Sequence, residues 1–285
     1  MIPSLHNGIT ALKSLGQGLQ ILGNNIANVN SLGYKSSRAN YTDNFYLHLN
    51  DAESGADGVP SNNIQQHGTG VHVGSVSSNF NQGTIDVTGL DLDLAIQGEA
   101  LPNAGGFFEV TDPVTGELFY TRAGAFEATN EGFVVTRDQY RYQLQGIDNA
   151  LTVAVPDTQT LIARRVEEDG VINLVVYDSV QKKDVVTKVG QIKLVNFISP
   201  QYLRRVGNGF YSNGGAGENL AGLVDNAIPA SGSNGKIKQY ALELSNVDLT
   251  NEFAMMISHQ RSFQAGSRIV TTSDAILSEA VNLKR

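Results

Sequence analysis

Two stretches of helical period stand at opposite ends of this chain, and any fold it adopts has to find partners for both. From Leu5 the apolar and small residues step by four and three, through Ile9, Leu12, Gly16, Leu19, Gly23 and Ile26. A spacing that averages about 3.5 is the seam of a coiled coil. Leu15, Leu22 and Val29 repeat by seven on an adjoining stripe. Pro3 is tolerated in a first helical turn and Asn30-Ser31-Leu32-Gly33 is a stop, so the spacing predicts a helix over about residues 3–29, on the order of 40 Å long. At the other end Leu249, Met256, Phe263, Val270 and Leu277 recur every seven residues, with Ile269, Ile276 and Leu283 on a second stripe. Asp248 is a suitable N-cap, and Glu252 puts negative charge in the first turn, where the helix dipole favours it. Phe253, Gln260, Ser267, Asp274 and Val281 fall between. The polar residues among them predict a seam that selects its partner.

Between the helices the period changes to two. Asp93–Gln97, Phe107–Val110, Leu118–Thr121, Phe133–Thr136 and Tyr140–Leu144 read as strands, with later runs at Leu151–Val155, Gly170–Tyr177, Val185–Phe197 and Gly235–Leu244. Asp112-Pro113-Val114-Thr115-Gly116 and Thr129-Asn130-Glu131-Gly132 supply turns. The fold class is therefore α+β: terminal α-helices forming a coiled-coil-like layer plus an all-β central domain of short strands. Burying one Leu, Ile or Phe is worth roughly 1.5–3 kcal/mol, so each seam represents on the order of 10 kcal/mol once partnered. Isolated helices are marginal in water. The economical expectation is that the termini pair with each other and with those of neighbouring copies; a two-helix layer on the chain's own sheet is the alternative.

Composition narrows the function. Among 285 residues there are 28 acidic and 20 basic side chains, a net charge of −8, and no Cys. An acidic chain without basic blocks is a poor phosphate neutraliser, so no nucleic-acid partner is expected. Zero cysteine excludes disulfides, thiolate metal sites and Cys nucleophiles. No run approaches the roughly 18 apolar residues of a transmembrane helix, and the first residues lack the basic and apolar regions of a cleavable signal, so neither membrane insertion nor signal cleavage is expected.

Three segments carry a family resemblance. Asn24-Asn25-Ile26-Ala27-Asn28-Val29-Asn30-Ser31-Leu32-Gly33-Tyr34-Lys35 resembles the N-terminal signature of the bacterial flagellar rod and hook proteins. Ser245-Asn246-Val247-Asp248-Leu249, continuing through Ile257-Ser258-His259-Gln260-Arg261-Ser262-Phe263, resembles their C-terminal signature. Leu92–Gly98, Gly106-Phe107-Phe108 and Tyr120-Thr121-Arg122-Ala123-Gly124-Ala125-Phe126 are similar to their β-domain core. The resemblance covers nearly the whole chain, in order.

It implies a structural subunit of a tubular axial filament, with both terminal helices lining the inner wall and the β-domain outside. It also implies export unfolded through the flagellar type III apparatus without cleavage, and other rod and hook proteins as axial neighbours. Val59-Pro60-Ser61, Ile64-Gln65 and Gly68-Thr69-Gly70-Val71 are similar to the stretch of distal-rod proteins credited with a stiff rod. The span Gly146–Val189 is too short for the outer domain of hook subunits. A distal-rod subunit, transmitting torque from motor to hook and filament, is thus the expectation, with the hook and the proximal rod as alternatives. The locations implied are the periplasm-spanning rod or, for a hook subunit, the extracellular hook. On this reading residues 1–35 are the N-terminal helix and signature turn, 36–90 an extended, partly irregular connecting segment, 91–235 the β-domain and 236–285 a strand and helix of the inner layer. Three departures bear on the paralogue: the Glu99–Gly105 insertion, Asp138-Gln139 where a Gly is frequent, and Gly209 where an Asn is common.

The interface expected from these readings comprises Leu5, Ile9, Leu12, Gly16, Leu19, Gly23, Asn24, Asn25, Ile26 and Asn28 at one end. At the other it comprises Asn246, Leu249, Phe253, Met256, Gln260, Arg261, Phe263, Val270 and Leu277. The Asn amides suit cross-bonding to a companion helix or a neighbouring copy, Gly16 and Gly23 suit close backbone approach, and Arg261 needs a carboxylate such as Asp248, Glu252 or Asp274. Nothing in the sequence gives catalytic, cofactor or metal residues. His67 and His72 have no metal-ligand spacing. Asp91 and Asp93 share a strand face with Asp86 near, which could imitate an acid–base pair but reads better as edge charge against unwanted pairing. A secreted β-rich binding module or adhesin is the competing function of another class.

Overall fold

The computed structural model describes residues 3–51, 63–98, 105–147, 150–153, 159–178, 183–214, 221–224, 228–231 and 234–283. Val59-Pro60-Ser61, Val155 and all of the Glu99–Gly105 insertion but Gly105 lie outside them. Two compact units make up the chain, the first from residues 1–27, 37–78 and 248–285 and the second from 28–36 and 79–247. The four spans drawn on the sequence do not map one to one onto these units. Residues 28–35 and 236–247 belong with the β-body, and 37–78 belong with the helices.

In the first unit α1 (Pro3–Ala27) and α2 (Leu249–Leu283) pack on each other, and α1 also packs on two strands, β1 (Ser37–Asp43) and β4 (Val71–Ser78). Asp248 caps α2, its Oδ1 accepting the Thr250 N–H at 2.9 Å and the Asn251 N–H at 3.4 Å. Within the segment expected to be extended and partly irregular, the described residues include two antiparallel ribbons. β1 pairs β4 from Ser37↔Ser78 to Asp43↔Val71 with a bulge at Asn40/Tyr41, and β2 (Tyr46–Asn50) pairs β3 (Gln65–Gly68). Polar residues set this register: His72 Nε2 lies 3.0 Å from Thr42 Oγ1 and Nδ1 2.7 Å from Asn44 Oδ1.

The second unit is all-β. β5 (Ile85–Val87) pairs β20 (Ala241–Glu243), and β6 (Leu94–Gln97) pairs β19 (Lys236–Gln239). The main sheet joins β7 (Phe107–Thr111), β8 (Leu118–Thr121), β9 (Phe126–Ala128), β10 (Val134–Thr136) and β11 (Gln143–Leu144). It is completed by β15 (Leu194–Phe197), β16 (Arg204–Gly207), β17 (Phe210–Ser212) and β18 (Leu223–Val224). β12 (Gln159–Val166), β13 (Val171–Asp178) and β14 (Lys183–Gln191) form a meander. Every pairing among the described strands is antiparallel.

At β7, β8, β15 and β17 the main sheet is buried on both faces, which explains the apolar runs there. Phe108, Phe119, Leu194 and Phe210 enter one core with Leu94, Ile96, Phe126 and Ile237. Their chain neighbours Phe107, Tyr120, Val195 and Tyr211 enter a second, aromatic core with Phe80 and Phe197. Four expected strands are shorter or broken. Only Gln143–Leu144 of Tyr140–Leu144 pairs as a strand, because Arg141 turns left-handed at φ 51°. Val185–Phe197 is two strands, and Gly235–Leu244 breaks at Tyr240, φ 62°. Of Leu151–Val155, the described part forms one isolated bridge at Thr152.

Candidate assembly surface and a buried ion triad

The helices pair antiparallel through small and polar residues. Ser4 and Ser273 hydroxyls meet at 3.2 Å at one end, and Asn25 Nδ2 donates to Glu252 Oε1 at 3.2 Å at the other. Between them Gly8 faces Val270, where an added Cβ would stand 2.9 Å from Cγ2, and Gly266 faces Leu12, where it would stand 3.3 Å from Cδ2. Gly18 lies under Tyr41 and His259. Side chains of α1 also stand in for a neighbouring strand. Asn25 accepts the Ser37 N–H at 2.9 Å and donates to the Ser37 carbonyl at 2.8 Å, and Ser14 donates to the Val71 carbonyl at 2.9 Å.

The seam therefore differs from the one read from apolar spacing. On α2 the buried residues are Glu252, Gly266 and Ser273, one position before the expected Phe253, Ser267 and Asp274. On α1 they are Gly8, Ser14, Gly18, Leu22 and Asn25. Small side chains let the backbones approach, and that outweighs the apolar area large ones would offer. Gly16 and Gly23 were expected at a close approach, yet an added Cβ at either meets nothing within 4 Å. Leu5, Leu12, Leu19, Ile26, Met256, Val270 and Leu277 are half-buried. Ile9, Leu249, Phe253, Ile257, Phe263, Ile269 and Ile276 stay between 39% and 61% exposed, apolar surface the helix pair leaves open. Gln260, Arg261 and Asn24 are exposed too, and among the described residues Arg261 has no carboxylate within ion-pair distance.

Glu252 is buried beside Asp248, and its Oε2 has no hydrogen-bond partner among the described residues. Burial raises its pKa above the usual carboxylate value, the Asn25 amide opposes that, and Asp248 adds to it.

In the second unit Lys35, Arg122 and Glu243 meet in one buried cluster, their side chains 0%, 1% and 0% exposed. Glu243 Oε1 accepts from Lys35 Nζ at 2.6 Å and from the Gly83 N–H at 2.8 Å, and Oε2 from Arg122 Nη1 at 3.2 Å. Lys35 Nζ also donates to the Asn81 carbonyl at 2.8 Å, and the Arg122 guanidinium lies 5.1 Å over the Phe107 ring. Burial alone would raise Glu243, but Arg122 and Lys35 outweigh it and hold the carboxyl below its ordinary value. Burial and the facing Arg122 lower Lys35 to about 8 against the pull of Glu243. Gly33 makes the approach possible. It sits at φ 63°, a Cβ there would stand 2.7 Å from Ala123 N, and its N–H donates to the Glu243 carbonyl at 2.8 Å.

Nearby, Asn246 accepts the Ser36 N–H at 2.8 Å and donates to the Asn79 and Asn81 carbonyls at 2.8 and 3.0 Å. Its amide is thus occupied within the chain, and Asn28 Oδ1 likewise receives the Ser31 hydroxyl at 3.1 Å. Lys35 and Arg122 lie inside recognised motifs, but neither they nor Glu243 was singled out from the sequence. The available signal was one carboxylate, Glu243, set directly between the apolar residues Leu242 and Leu244. Asp93 is no acid–base candidate and no edge charge. It is buried, accepts Arg137 Nη2 at 2.8 Å and the Thr88 hydroxyl at 2.6 Å, and so is a neutralised core residue.

The same parts of the chain match known proteins. Residues 95–174 match the family described as flagellar hook protein FlgE/F/G D1 domain, and residues 238–283 the flagellar basal body rod FlgEFG protein C-terminal family. The flagellar basal-body rod protein FlgG of Bacillus subtilis (strain 168) is 35% identical, covering 100% of both chains. FlgG of Caulobacter vibrioides is 31% identical over 99% of both, and FlgG of Borreliella burgdorferi 30% over 100% of both. The flagellar hook protein FlgE of Treponema pallidum is 30% identical over 67% of this chain and 35% of its own length. Matched from end to end by FlgG rod proteins and in its D1 and C-terminal parts by the wider rod and hook group, the chain belongs to the flagellar basal-body rod and hook protein family.

Proposed function

We propose that the chain is a distal-rod subunit that polymerises through its terminal helices into a helical tube, and that this tube carries torque from the motor to the hook and filament. One observation carries the reading. α1 and α2 use their small and polar residues on each other and leave Ile9, Leu249, Phe253, Ile257, Phe263, Ile269 and Ile276 open. Apolar surface of this extent calls for a cover, and head-to-tail contacts that do not close into a ring generate filaments.

On this reading neighbouring copies cover Leu5, Leu12, Leu19, Ile26, Met256, Val270 and Leu277 at the margins of this surface. Arg261 and Gln260 then meet polar groups of another copy, and Gly16, Gly23 and Asn24 lie against a neighbouring helix. The ribbons of residues 37–78 stiffen the tube. Axial neighbours are other rod and hook proteins, and the subunit reaches the periplasm-spanning rod through the flagellar type III export apparatus without cleavage. Torque transmission requires no chemistry from the chain. The full-length match to FlgG in both directions favours the rod over the hook, whose matched protein is covered for 35% of its length.

Electron microscopy of concentrated protein tests the proposal. Wild-type chains should form tubes of defined helical symmetry. Phe263→Asp should form none while keeping the β circular dichroism of the second unit. Tubes of normal length from Phe263→Asp would remove this surface from the interface.

A further inference from the structure

We propose that Glu243 is a closing latch: the segment Asn28–Ser36 docks on the β-body only after β20 has brought in Glu243, so that the second unit cannot close on a chain that stops short of β20.

The argument begins with the two cations. Lys35 and Arg122 are drawn into one buried place, and the carboxylate they share is Glu243, 208 and 121 residues away respectively. Without it a buried ammonium would face a buried guanidinium with the Glu243 charge gone, at a large cost in desolvation and repulsion. The Lys35 side chain then remains in water and holds its segment off the body. The backbone repeats the dependence. The Gly33, Ser36 and Gly83 N–H groups and the Asn79 and Asn81 carbonyls are all answered by Glu243 or Asn246. Most of the main sheet has no such debt to the distant chain. β7 to β11 pair among themselves across the turns at Asp112–Gly116 and Thr129–Gly132. A chain made from its N-terminus therefore presents Lys35 first, Arg122 next and the β7–β11 pairings soon after, with the neutralising carboxylate last.

The experiment uses the full chain. It is refolded from denaturant and pulsed at successive times with N-acetoxysuccinimide, with amide exchange followed in parallel. In the native protein Lys35 should acetylate at least about 100-fold more slowly than exposed Lys13, since reaction waits on local opening. During refolding Lys35 should gain that protection together with the Ala241 and Leu244 amides, and later than the Phe108 and Val110 amides. Protection of Lys35 before Ala241 and Leu244, or of all these sites in a single phase, would overturn the latch. In Glu243→Gln, which keeps the shape and removes the charge, Lys35 should acetylate within about tenfold of Lys13 while Phe108 and Val110 stay protected. A folded Glu243→Gln whose Lys35 remains as slow as wild type would also overturn it. Should that variant fail to fold, the wild-type order of protection decides alone.

Discussion

Lys35 gives the second unit an uncommon response to alkali. In the unfolded chain its ammonium releases a proton near the ordinary 10.5, whereas in the closed unit burial and the adjacent Arg122 bring release down to about 8. Between these values the unfolded state binds more protons than the folded one, so stability rises with pH, by up to about 1.4 kcal/mol per pH unit. Tyrosines set the upper edge. Tyr120 is pushed up to about 12, by burial first and then by Glu109, and burial raises Tyr211 too. Their unfolded counterparts ionise near 10, so above about pH 10 the sign reverses. From pH 8 to 9.5 the expected gain is about 1–2 kcal/mol, a rise of about 0.5–1 M in urea midpoint for a unit of this size. Near-ultraviolet circular dichroism is the suitable probe, because the chain has no Trp and Tyr120 and Tyr211 are held rigidly in the aromatic core. Lys35→Met should abolish the rise. A wild-type midpoint that is flat or falling between pH 8 and 9.5, or an equal rise in Lys35→Met, would refute the account.

Other residues respond to simpler perturbations. Glu252 has a raised pKa, so the folded helix pair loses stability as pH climbs through the window above 4.5. Glu252→Gln should remove that dependence, read from ellipticity at 222 nm as a function of pH; an unchanged pH profile would contradict it. Gly8→Val should cost about 1–3 kcal/mol by forcing Val270 away. Gly16→Ala, facing open space, should gain up to about 1 kcal/mol; thermal melts in which both variants fall alike would void the assigned seam. Arg137→Met leaves the Asp93 carboxylate buried without its cation and should cost about 3 kcal/mol. Adding Asp93→Asn should recover most of that loss in urea titrations, and a double variant no better than the single one would count against the pairing.

Much of the fold was legible because local periods are local physics. The 3.5-residue step placed α1 within two residues at its C-terminal end, and alternation found β7, β8, β10 and β13. On α2 the seam positions Met256, Val270 and Leu277 are half-buried as the spacing implies, but Phe253, Ser267 and Asp274 each fall one residue after the buried Glu252, Gly266 and Ser273, because apolar spacing ranks Phe253 above Glu252 and Gly266. Packing two backbones closely ranks them the other way. Arg141 and Tyr240 broke expected strands through left-handed backbone that their side chains do not announce. The triad stayed hidden for a different reason. Lys35 and Arg122 sit in readable motifs, but the partner that gives them meaning is supplied from the far end of the chain, and no window on the sequence spans that distance.

The unequal lengths of the two helices have a geometric consequence. α1 has 25 residues and α2 has 35, and the pair is aligned at the Asn25–Glu252 end. Past Ser273, which meets Ser4, α2 runs on for about 15 Å beyond the first described turn of α1, and its Val281 and Leu283 are 63% and 85% exposed. The helix pair is thus blunt at one end and protruding at the other. A body whose ends differ in this way has a direction, and an assembly that grows along one axis needs every subunit to carry that direction before it meets the next.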